Sequence, residues 1–157
     1  MKPKTLFLAR VGLFVILPAM FFALACGTDD PERQAAKDRE KILEYIMQNN
    51  LNAIELPSGV FYVIEREGRG PFPTDSSEVT LTYTGTLLDG TQFDFGAQRT
   101  MFLPNSIPGF RQGVPKFNRG AKGIILIPSG LGYGPSGSFT IPPNSVLIFR
   151  VEIFDWR

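Results

Sequence analysis

Between Glu78 and Gly90 the chain reads EVTLTYTGTLLDG. Val79, Leu81 and Tyr83 alternate with Thr80, Thr82 and Thr84, so apolar and polar side chains fall on opposite faces of an extended segment. Such a strand needs a core on one side only. Asp89-Gly90 then marks a tight turn, and TQFDF reads as a short return strand. GVFYVIERE upstream, KGIILIP between Gly120 and Pro128, and SVLIFRVEIFDW read as further strands. The last puts Leu147, Phe149, Val151 and Ile153 on one face and Arg150 and Glu152 on the other. SIPGFRQGVPKF carries one brief helix: Pro108 suits its first turn, while Gly113 and Pro115 keep it short. Together these elements predict an α+β domain, an antiparallel sheet with one short helix against its apolar face.

What the chain lacks narrows the chemistry. Histidine is absent and the one cysteine is Cys26. Ser-His-Asp and Cys-His nucleophiles and His-ligated metals are therefore excluded, as are an internal disulfide and a cysteine cluster. No clustered acidic loop of the calcium-binding type is present, so neither a metal site nor a cofactor is expected. With 43% hydrophobic and 20% charged residues a packed core is within reach. A net charge of +1, without a basic face interleaved with aromatics, argues against a nucleic-acid partner.

The N-terminus reads as an address. Lys2, Lys4 and Arg10 precede an apolar run from Val11 to Ala25, short for a membrane span and suited to a signal-peptide core. Ala23 and Ala25 lead into Cys26. The arrangement resembles a bacterial lipoprotein cleavage site, with residues 1–25 removed and Cys26 acylated, although Ala23 and Leu24 stand in the reverse of the usual order. An uncleaved signal anchor, or a free Cys26 thiol after ordinary cleavage, are the alternatives. Residues 26–37 read as a polar tether, and its acids Asp29 and Asp30 resemble a surface-export tag. Residues 38–56 contain a helix: Ile42, Leu43, Ile46 and Met47 recur at helical spacing, Asp38 would cap it, and Asn49-Asn50 would end it. Residues 57–157 form the main domain.

From Gly132 to Phe149 the chain reads GYGPSGSFTIPPNSVLIF, a tyrosine among glycines fastened directly to a hydrophobic strand. This stretch, VTLTYTGTLLDGTQFDF, IPGFRQGV and IPPNSVLIFRVEI resemble, in order and spacing, the motifs of the FKBP family of macrolide-binding peptidyl-prolyl cis/trans isomerases. The resemblance runs from Gly59 to the C-terminus. The N-terminal part is similar to lipid-anchored Gram-negative members, among them gliding-motility-associated lipoproteins.

The resemblance implies a half-barrel sheet wrapped around a short helix, with an aromatic pocket that takes a proline ring. By motif it makes Tyr83, Phe93, Asp94, Tyr133 and Phe149 the catalytic set, and Ile107, Phe110, Ile141 and Phe139 the substrate-binding contacts. The N–H of Ile107 and the hydroxyl of Tyr133 would donate to substrate carbonyls. Strand parity independently puts Tyr83 and Phe149 on the core side. Several departures stand out: Phe110 where active members usually carry Trp, Ser106 where an apolar residue is common, and a short PSGSFT rim. Between Thr100 and Asn105, either Met101 or Phe102 supplies a second wall. The implied function is isomerisation of X-Pro bonds in envelope or exported polypeptides. The implied molecule is a monomer held by lipid at the outer membrane, facing the periplasm or the surface, with macrolides as a ligand class. A catalytically weak peptide-binding module and a structural component of an envelope machine are the alternatives.

Overall fold

The computed structural model describes residues 30–157. The signal-like segment, Cys26 and the start of the tether lie outside the described residues. Helix α1 spans Pro31–Gln48 and so takes in most of the predicted tether. Its cap is Asp30, not Asp38: the Asp30 carboxylate accepts from the Glu32 N–H at 3.1 Å. Pro31 follows at the first helical position, where a missing N–H leaves nothing unpaired. Asp38 is a fully buried residue inside the helix. The Asn49-Asn50 stop is as predicted, with Asn50 in the left-handed region at φ 50°.

Six strands follow: β1 Ile54–Glu55, β2 Phe61–Arg66, β3 Glu78–Thr86, β4 Gln92–Phe102, β5 Lys122–Ile127 and β6 Leu147–Trp156. Helix α2, Pro108–Gly113, lies between β4 and β5 in the chain. The strands form one antiparallel sheet in the order β1-β2-β5-β6-β3-β4. The two-residue β1 has no counterpart in the sequence reading. β4 runs well beyond the predicted TQFDF, because register shifts against β3 let the strand bend and go on pairing up to Glu78–Phe102.

Alternation along the strands divides the core in two. Val79, Leu81 and Tyr83 of β3, Ile125 and Ile127 of β5, and Leu147, Phe149, Val151 and Ile153 of β6 face the front, where Phe110 and Val114 meet them. Phe61 and Val63 of β2, Ile124 and Leu126 of β5, and Ile148 of β6 face the back, where they bury Ile42 of α1 completely. Beyond that apolar patch the back face turns polar, with ion pairs Arg150–Glu65 at 2.8 Å and Arg66–Glu152 at 2.6 Å. Among the described residues no helix is long and apolar enough to cross a membrane.

Helix α2 settles on the front face because its sheet-side residues have no side chain. A Cβ on Gly109 would lie 2.2 Å from Cγ2 of Ile127, and one on Gly113 would lie 2.5 Å from Cγ2 of Ile125. The two glycines, four apart, share one side of the helix. Their closeness to β5 turns Phe110 into the space between helix and sheet.

Candidate functional site

The site is built on one row of the sheet. Gly85 of β3 pairs with Asp94 of β4 on one side and with Phe149 of β6 on the other. A Cβ at Gly85 would lie 2.7 Å from the Phe93 ring and 3.0 Å from the Phe149 ring. Glycine there leaves the space that Phe93 fills, edge-on to Phe149 at 5.5 Å and 85°. The next row brings up Tyr83, opposite Gly96 and Val151.

A pocket of about 320 Å³ opens between this part of the sheet and α2. It is lined by Tyr83, Asp94, Met101, Asn105, Ser106, Ile107, Phe110, Tyr133 and Phe149. Three rings form its wall and floor: Phe110 and Phe149 meet at 4.9 Å and 67°, Tyr83 and Phe110 at 5.9 Å and 66°, and Tyr83 and Phe149 at 6.1 Å and 55°. The two edge-to-face contacts of Phe110 and the tilted one between Tyr83 and Phe149 lock the rings against each other and add to their burial. The polar groups are few and fixed. The Tyr83 hydroxyl donates to Oδ2 of Asp94 at 2.9 Å, and the Phe95 N–H donates to Oδ1 at 2.8 Å. Burial, reinforced by the hydrogen bond to Asp94 and its charge, pushes the Tyr83 phenol above its usual range, with Arg99 pulling the other way. Burial and the charge of Asp94 do the same to Tyr133. Both phenols are thus held as O–H donors at neutral pH.

The Tyr133 hydroxyl and the Ile107 N–H are left without a protein acceptor among the described residues. Ile107 caps α2 in an extended conformation, φ −59° and ψ 147°, and Pro108 follows it. Ser106 prepares that conformation, because its N–H and its hydroxyl both donate to the Leu103 carbonyl, at 3.0 and 2.7 Å. The hydroxyl at this usually apolar position is therefore spent on the turn and not on the pocket.

The structure brings Tyr83, Asp94, Ile107, Phe110, Tyr133 and Phe149 together around one pocket. Phe93 stands behind Phe149 instead of lining the cavity, and Ile141 is buried in the front core. Phe139 lies away from the pocket and is fully exposed. Ser138 and Ile141 exchange backbone hydrogen bonds at 2.9 and 2.7 Å, closing a tight turn that holds Phe139 at φ 44° on its tip. Of the two candidate second walls, Met101 lines the pocket and Phe102 is exposed. The register decides it: Met101 pairs with the core-facing Val79, and directly paired residues share a face. Asn105 is a pocket residue that sequence reasoning missed, since nothing in LPNS marks which side of the turn faces the cavity.

An antiparallel sheet curled over a short glycine-faced helix, with an aromatic cup at their junction, is the class of protein that fold and site define. The model of the FKBP-type peptidyl-prolyl cis-trans isomerase family matches residues 70–154, and the chain belongs to that family. FKBP-type peptidyl-prolyl cis-trans isomerase FkpA of Escherichia coli is 39% identical over 102 residues, which cover 62% of this chain and 38% of FkpA. Its crystal structure gives a TM-score of 0.68 at 35% identity, over 80% of this chain and 62% of that one. Outer membrane protein MIP of Legionella longbeachae is 38% identical over 105 residues, covering 64% of this chain and 45% of MIP. The structure of a peptidyl-prolyl cis-trans isomerase from Pseudomonas syringae pv. tomato gives a TM-score of 0.70 at 29% identity, over 83% of this chain and 98% of that one. The chain thus spans less than half the length of these curated relatives.

Proposed function

We propose that this chain isomerises X-Pro peptide bonds in polypeptides of the cell envelope. The observation that carries the reading is the cup itself: three interlocked rings, one fixed carboxylate and two unpaired donors around a cavity large enough for a prolyl residue. The barrier to be lowered is rotation about a partly double C–N bond, about 18–20 kcal/mol. No covalent bond to the substrate has to form, so the absence of histidine is no obstacle. The planar amide is strongly polarised and hydrated, while the twisted transition state has lost resonance and carries a less polar carbonyl. A water-poor aromatic wall favours the twisted form by differential binding. Phe110 and Phe149 take the pyrrolidine ring. The Ile107 N–H and the Tyr133 hydroxyl hold carbonyls on either side, which fixes the chain while one segment rotates. Asp94, immobilised by Tyr83 and Phe95, sets the field along the third wall. Macrolides that mimic a prolyl amide would compete for the same cup, more weakly than in members whose floor is the larger Trp.

The envelope setting rests on the signal-like segment before Cys26 and on the likeness to a protein named for the outer membrane. Acylation of Cys26 would supply the anchor, since two or more acyl chains hold a protein stably at a bilayer. Mass spectrometry of the mature protein checks this, and an unmodified Cys26 removes it. The activity is tested by refolding a protein whose slow phase is X-Pro isomerisation, tens to hundreds of seconds unassisted at about 25 °C. Catalytic amounts of the chain are expected to shorten that phase. A rate equal to that in buffer, alongside measurable peptide binding, would replace the isomerase by a binding module.

A further inference from the structure

Outside the pocket, one buried charge has no part in the chemistry above. Asp38 sits inside α1, fully buried, and its carboxylate is completely engaged. Oδ2 accepts from the N–H of Ser129 at 2.8 Å and from its hydroxyl at 2.5 Å, while Oδ1 accepts from Nε2 of Gln34 at 2.7 Å. Burying a carboxylate is unfavourable unless its oxygens are paired this fully, and removing one partner strands the other. The link crosses 91 positions of sequence. It joins a helix that precedes the family-matched residues 70–154 to the turn Ser129–Leu131.

That turn leads straight to Tyr133. The Gly132 N–H donates to the Ser129 carbonyl at 2.9 Å, and after Tyr133 the Gly134 carbonyl accepts from the Asn144 N–H at 2.9 Å. The tyrosine is therefore slung between two tethers, one ending on Asp38 and the other on Asn144. The turn also packs inward, with Leu131 against the front core and Gly132 close to Leu147, but on the side of α1 the polar clasp carries much of the contact. A crevice of about 320 Å³ separates the start of α1 from this segment, lined by Pro31, Ala35, Pro128, Leu131 and Pro135 among others. We propose that Asp38 is a positioning residue for the isomerase site, holding the Ser129 turn so that the Tyr133 hydroxyl is aimed at the substrate carbonyl. The inference rests on the isomerase reading and extends the working unit beyond the matched residues, since the N-terminal helix becomes part of the site's frame.

The test uses the full chain with Asp38→Ala, Asp38→Asn, Ser129→Ala, Tyr133→Phe and the control Ile42→Ala. The control removes packing from the same helix without touching the clasp. Steady-state constants for an X-Pro tetrapeptide are measured at a temperature where all variants are folded. Asp38→Ala is expected to raise KM about tenfold with kcat little changed, the signature of lost uniform binding. Asp38→Asn restores most of it, because its carbonyl oxygen still accepts from both Ser129 donors. Ser129→Ala, which keeps the N–H, gives a smaller rise of about threefold. Asp38→Ala adds little on top of Tyr133→Phe, since residues acting through one contact are not additive. An unchanged KM in Asp38→Ala and Ser129→Ala, full additivity with Tyr133→Phe, or an equal KM rise in Ile42→Ala overturns the proposal. Amide exchange of residues 129–134, faster in Asp38→Ala than in Ile42→Ala, reads the clasp without activity. A wild-type chain inactive toward X-Pro peptides overturns the isomerase reading, and the exchange rates then still decide whether Asp38 holds the turn.

Discussion

The two faces of the sheet are made by the same strands and built on opposite plans. The back is mostly aliphatic and closed: Phe61, Val63, Ile124, Leu126 and Ile148 surround Ile42. The front is aromatic where it meets α2, and it stays hollow there. β5 and β6 serve both sides at once, with Ile125 and Phe149 pointing forward and Ile124 and Ile148 pointing back. The comparison teaches a division of labour. A cavity forgoes packing contacts, so the stability it lacks has to come from elsewhere. In this chain the covered back face is where α1 supplies it.

Substitutions on either side sharpen that contrast. Ile42→Ala empties the centre of the back core and should lower unfolding free energy by about 2–5 kcal/mol, read by chemical denaturation, with isomerase activity kept while the chain is folded. A parallel loss of activity would break the division. Asp94→Ala on the front should do the reverse. It should lower kcat/KM about tenfold, close to the ~1.4 kcal/mol expected of one charge-assisted hydrogen bond, and leave the denaturation midpoint nearly unchanged. The pH dependence is a milder probe. Both front-face tyrosines have folded-state pKa values above the unfolded phenol value of about 10. The native state then keeps its phenolic protons longer than the unfolded chain, so this contribution is fully present below pH ~10 and is lost as pH rises beyond it. Activity that depends on the Tyr133 donor should be flat from pH ~6 to ~9 and fall only in that alkaline range. Smallest of all, Arg150→Ala breaks an exposed pair with Glu65 and should change stability by less than about 1 kcal/mol.

How far the sequence spoke for itself differs along the same lines. The front was legible because a period of two fixes parity: Val79, Leu81 and Tyr83 had to share one side of their strand, and Leu147, Phe149, Val151 and Ile153 one side of theirs. Once Met101 is paired with Val79 its place follows, but that register passes through bulges that no local pattern announces. The back was half legible. KGIILIP was read as a strand, but its unbroken apolar run does not say locally what covers its second face. The start of α1 was misplaced because two aspartates precede helical patterns, and Asp30-Pro31 is the stronger cap signal. Asp38 was read as the cap, and its burial could not be foreseen, since a buried carboxylate is explained only by its distant partner Ser129. Phe139 was assigned to the rim by motif, and the two-residue turn beneath it holds it in solvent.

The order of the strands carries a consequence for how the molecule comes into being. β6, which follows every other described strand in the chain, lies in the interior of the sheet, between β5 and β3. Until it arrives, β1-β2-β5 and β3-β4 are separate fragments with exposed edges, and the row Asp94–Gly85–Phe149 is missing its last member. A nascent chain therefore has no working cup, and no continuous sheet, before residues 147–156 have left the ribosome. Such long-range pairing delays folding. The delay means that the pocket and the interior of the sheet are completed in one step, by the last of the described strands.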